Sequence, residues 1–148
     1  MLDHLKKAAE EVGLPLGARD RTYNSRFAQE MGKWAESRGI GDKFHHATFK
    51  AYFVDGSNIA NIDTLVELGV GLGLPAVEIQ DVLEKRTFKG DVDADWSRSR
   101  QMGISAVPTF MLNRQTLVGA QSYESLSNLL TANNVGLRSM LDDSSALS

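Results

Sequence analysis

The 148-residue sequence contains no cysteine. That excludes disulfide staples, thiolate-ligated zinc and a cysteine nucleophile within these residues. It has no basic excess either: 16 Lys and Arg stand against 19 Asp and Glu, for a net charge of −3. A polyanion partner such as nucleic acid usually selects a basic face, so that class is excluded. No apolar run approaches the ~20 residues needed to cross a bilayer. The opening stretch, residues 1–13, lacks the apolar h-region of a secretory signal, so the expected location is the cytoplasm. Internal repeats are absent as well. What is present is ordinary for a single soluble domain: 42% apolar and 24% charged residues, enough for a real core.

Most of the chain has helical periodicity. Leu2, Leu5, Ala9 and Val12 keep helical spacing until Gly13 and Pro15. The following stretch has no clear period and is expected to be loop. Asn24 is a good N-cap for a second helix, on which Phe27, Ala28, Met31, Trp34 and Ala35 form one apolar face. Asp42 is expected to cap a third helix reaching about Val54. Its apolar set (Phe44, Ala47, Phe49, Ala51, Tyr52, Phe53) is broad enough to predict a central helix. A fourth helix follows Asn61 or Asp63, a fifth carries Ile79, Val82 and Leu83, and a sixth runs from about Val92 to Met102. The period then changes. Pro108–Leu112 and Gln115–Val118 read as strands joined at Asn113-Arg114, a hairpin. Ser122 can cap a last helix bearing Leu126, Leu129 and Leu130. Such a hairpin is marginal alone in water and must pack on helices or gain strands.

The run GISAVPTF at 103–110, the hairpin, VGAQ at 118–121 and the final helix together resemble the C-terminal half of a DsbA-like thioredoxin fold. The closer likeness is to the FrnE-like branch, whose relatives include 2-hydroxychromene-2-carboxylate isomerases and kappa-class glutathione transferases. RTYNS at 21–25, FKAYF at 49–53 and Asn58-Ile59 match family blocks in the same order. The resemblance runs over 1–131. It implies an α+β, incomplete thioredoxin-like fold: a helical insertion over about 1–102, a cis-proline hairpin and terminal helix over about 103–131, and a flexible tail at 132–148. The family's first βαβ unit, with its CxxC or serine at a helix N-terminus, has no counterpart here. The chain is therefore expected to begin inside the insertion, as a truncation of a longer protein would.

Candidate sites follow. Val107 and Pro108 fall where the resemblance places a cis-proline. That turn would offer the backbone groups of Val107 to an extended peptide or a glutathione-like ligand. The plainer alternative is a proline that merely opens an edge strand. Asn24 and Ser25 match a family position near the substrate groove, although a simple N-cap pair is the preferred reading of the two residues. Adjacent His45 and His46 point about 100° apart on a helix and cannot share a metal. With no HxxxH spacing, no metal site and no cofactor are expected. Trp34, Trp96, Phe44, Phe49 and Phe53 read as core, and Arg19, Arg21 and Arg26 as solvated.

No catalytic residue is expected in this chain, because a CxxC site works through a thiolate whose pKa a helix N-terminus lowers. Three functions remain open. The chain can belong to a DsbA/FrnE-like thiol-disulfide oxidoreductase while being inactive by itself. It can be part of a serine-dependent isomerase or kappa-like glutathione transferase. It can be a non-catalytic dimeric binding module. A homodimer is expected because Pro108–Leu112 would leave one strand edge unpaired.

Overall fold

The computed structural model describes residues 2–18 and 21–136. It is mostly helical with one small antiparallel sheet, an α+β protein. The chain divides into two compact units, Met1–Trp96 and Ser97–Ser148.

In the first unit α1 spans Leu2–Glu11, α2 Arg26–Ser37, α3 Gly41–Phe53, α4 Ile62–Gly71 and α5 Ala76–Glu84. The apolar stripe of α2 is the spine of the core: Ala28, Met31, Trp34 and Ala35 are buried. Phe44 from α3, Leu65 from α4, and Ile79 and Leu83 from α5 close around it. Gly69 marks a close approach inside this core. A Cβ there would fall 2.5 Å from Met31 Cε and 2.6 Å from Ile79 Cδ1.

Three local readings change. Ser25, not Asn24, directly precedes α2, but the Asn24 side chain still accepts the Arg26 N–H at 2.9 Å. α3 opens at Gly41, so Asp42 lies in its first turn, where its charge favours the positive helix end without capping it. Phe49 is 59% and Phe53 40% exposed, so α3 is less central than its composition predicts. Phe49 lies five positions beyond core-facing Phe44, a rotation of about 140° that carries it off the core face. The α4 cap is Asn61, whose side chain accepts the Asp63 N–H at 2.7 Å.

α6, Lys89–Gln101, begins three residues before the expected Val92 and runs from the first unit into the second. In the second unit β1, Thr109–Leu112, pairs antiparallel with β2, Gln115–Val118, in the register Thr109↔Val118 to Leu112↔Gln115. Asn113 (φ 47°) and Arg114 (φ 68°) are both left-handed, the signature of a type I′ two-residue turn. α7, Tyr123–Ala132, starts at Ser122, whose Oγ accepts the Ser125 N–H at 3.1 Å. Asn133 Nδ2 donates to Gln115 Oε1 at 2.9 Å, tying the end of α7 to β2. Of the expected tail, Ala132 is the last residue of α7, and 137–148 lie outside the described residues.

Candidate functional site

Val107 and Pro108, where a ligand turn is expected, lie in the second unit. Just past α6, Gly103 takes φ 74°, and the Ile104 N–H closes back on Ser99 O at 3.0 Å. The chain then bends through residues 106–108 before entering β1. Thr109 Oγ1 donates to Ala106 O at 2.6 Å and holds the bend from inside. The Val107–Pro108 peptide bond is cis. Val107 is 88% exposed. Neither its N–H nor its C=O has a hydrogen-bond partner among the described residues.

Hydrogen-bond phase follows from the turn. In a two-residue hairpin the residues flanking the turn form a hydrogen-bonded pair, and such pairs then alternate with non-bonded ones. Leu112↔Gln115 and Phe110↔Leu117 are therefore bonded pairs. The Gly119 N–H donating to Pro108 O at 2.8 Å continues the same alternation. Pro108 thus turns its backbone toward β2, where its missing N–H is tolerated. Thr109 and Met111 turn theirs the other way, to the edge of β1 that has no strand partner among the described residues.

One face of the hairpin borders an open cavity of about 490 Å³, lined by Gln101, Ser105, Thr109, Met111, Arg114 and Thr116 among others. Its lining mixes hydroxyls, an amide and one guanidinium with the apolar Met102, Ile104, Met111 and Val118. No carboxylate, imidazole or thiol borders it. The arrangement can hold a polar or extended ligand, but it contains no nucleophile paired with a base.

Asn24 and Ser25 sit in the first unit at the start of α2. Both are engaged in local structure. Asn24 Oδ1 holds the Arg26 N–H, while Ser25 Oγ accepts from Gln29 Nε2 at 2.8 Å. Gln29 Oε1 in turn accepts the Trp96 indole N–H at 2.8 Å. Trp96, read as core, is half exposed, with the Arg26 guanidinium 5.2 Å above its ring.

Arg26 is not a solvated cation. It donates to Glu30 Oε1 at 2.7 Å and to Asp93 Oδ1 at 2.5 Å. Glu30, only 1% exposed, also receives a two-pronged bond from Arg86: Nε to Oε2 at 2.7 Å and a terminal nitrogen to Oε1 at 2.6 Å. Arg86, with Arg26 second, holds the Glu30 carboxyl below its ordinary value against the opposing effect of burial. Neither Glu30 nor Arg86 was singled out from sequence. The available signal was a carboxylate three residues after Phe27 and four before Trp34, on the apolar side of α2. Arg19 lies outside the described residues. His45 Nε2 stands 3.3 Å from Glu36 Oε1. Among the described residues no three His, Asp or Glu side chains could hold a metal. Nor is any described helix long and apolar enough to cross a membrane.

A family model described as "DSBA-like thioredoxin domain" matches residues 1–131. The chain is 31% identical over 96 residues to the uncharacterized protein YwbO of Bacillus subtilis (strain 168), covering 64% of this chain and 44% of that protein. Among solved structures it is similar to a probable DsbA oxidoreductase from Streptomyces coelicolor, with a TM-score of 0.79 and 30% identity. That likeness covers 93% of this chain and 62% of the other. The chain thus spans less than half the length of the curated relative and under two thirds of the structural one. On a match that takes in every block from α1 to the end of the hairpin and most of α7, the chain belongs to the DSBA-like thioredoxin domain family.

Proposed function

We propose that these residues form the ligand-holding part of a FrnE-like thiol-disulfide oxidoreductase and carry no exchange activity by themselves. The observation that carries this reading is family membership over residues 1–131 in a sequence with no cysteine. Disulfide exchange begins with a thiolate attacking a disulfide sulfur in line. No other side chain in the sequence can replace that thiolate, because methionine sulfur has no proton to lose and forms no mixed disulfide. The role left to the chain is binding. Val107 would pair through its backbone with an extended peptide or with the peptide-like backbone of glutathione, and Pro108 would set the turn. Asn24 and Ser25 would add polar contacts. The chain would act in the cytoplasm.

An insulin-reduction assay with dithiothreitol as electron donor tests the chemistry. The rate with this chain should equal the rate with dithiothreitol alone. Any turnover that scales with chain concentration would overturn the proposal.

A further inference from the structure

The start of α6 is joined to the first unit mainly by polar contacts. Val92 is the one buried residue of this helix. A helix of its length is marginal by itself in water. What holds it against α2 is a set of side-chain links. One terminal nitrogen of Arg26 donates to Lys89 O at 3.0 Å and to Asp93 Oδ1 at 2.5 Å. Lys33 Nζ lies 2.6 Å from Asp95 Oδ2. The Trp96 indole N–H reaches Gln29 Oε1, and the Arg26 guanidinium lies over its ring. All of these residues belong to one compact unit.

We infer that residues 89–96 form a strap latched to α2 through Arg26. It opens as a local unit when its ion pairs are screened, while α2–α5 stay folded.

The two sides of the Arg26 network differ in a way that permits this. On the outer side Asp93 and Asp95 are half-exposed, and exposed ion pairs weaken with salt. On the inner side Glu30 is buried. When the strap leaves, Glu30 keeps the Arg26 Nε bond and both bonds from Arg86. Opening therefore strands no buried carboxylate, which is the cost that opposes breaking such a network. Nor does it take a side chain from the cluster around Met31, Phe44, Leu65, Ile79 and Leu83, to which α6 contributes none. Segments with few buried apolar contacts are the ones that open below the global unfolding energy.

Residue-resolved amide hydrogen exchange on the full chain tests the inference. Raising sodium chloride from ~0.01 M to ~1 M shortens the Debye length from ~30 Å to ~3 Å. Protection over residues 92–96 should then fall about tenfold, the sum of a few exposed links, while protection over residues 31–35 holds. Asp93→Asn, at an exposed position, should reproduce that loss already at low salt. Lys89→Gln breaks only the pairing within α6, where Lys89 Nζ lies 3.2 Å from Asp93 Oδ2. It should leave protection within about twofold of the parent. Protection over 92–96 that does not move with salt would overturn the inference. So would an equal loss over 31–35, which would make α6 part of the core's own cooperative unit. A Lys89→Gln chain as unprotected as Asp93→Asn would also overturn it, by assigning the effect to the helix itself.

Discussion

Glu30 shows how one side chain can be misread from sequence and still dominate its surroundings. Its position on α2 falls within the stripe formed by Phe27, Met31 and Trp34, where an apolar residue is expected. The structure buries the carboxylate and answers it with two arginines, one from α2 itself and one from beyond α5. Periodicity finds the stripe but cannot name a partner 56 positions away. Arg86 adopts φ 54°, a conformation usually left to glycine just past a helix end. Its bond to Glu30 and its place 4.8 Å over the Phe27 ring explain why an arginine stands there. Glu30→Gln should cost about 2–3 kcal/mol, the low side for breaking a buried pair because Arg86 is partly exposed. Urea unfolding at pH 7 measures it. The pH dependence has a definite sign. The folded carboxyl sits below its unfolded value, so the stabilisation is complete above about pH 4.3. It is lost as pH falls through the lower folded value. The gap between parent and Glu30→Gln should therefore close in acid, and a gap that widens below pH 4 would contradict the assignment.

Elements were more legible than contacts. The hairpin was readable because its strands are short, carry Thr, Phe and Val, and are bracketed by turn residues; β2 lies where the pattern placed it, and β1 begins at Thr109, one residue after Pro108. The start of α4 was readable because Asn61 is a strong cap before an apolar run. The reading of α3 was too generous. Its six apolar residues cover so much of the helix that composition cannot say which face is inside, and Phe49 and Phe53 fall outside it. Gly69 carries the reverse lesson, since a glycine inside a helix looks like a weakness in sequence. In the fold it lets α4 lie against α2 and α5. Gly69→Ala improves helix propensity by about 1 kcal/mol. It also drives a methyl group into Met31 and Ile79, an overpacking cost of about 1–3 kcal/mol. Thermal unfolding should show a net lower midpoint, and a raised midpoint would mean that the core yields at no cost.

At the scale of the molecule, ordered sequence blocks were enough to reach the family, and the match over residues 1–131 covers them all. The proposed lack of exchange activity rests on the absence of cysteine from the given sequence. The proposed binding turn is different. Its residue identities come from the resemblance, whereas the exposure of Val107 and the outward phase of Thr109 and Met111 needed coordinates. The central claim is that this turn holds an extended backbone. Titration of the 15N-labelled chain with an uncharged, extended hexapeptide tests it most directly. Saturable shift changes should concentrate at Ser105–Thr109 and be lost in Val107→Pro, which removes the N–H proposed to pair. Changes spread over α2–α5 instead, or binding undiminished in Val107→Pro, would contradict the account.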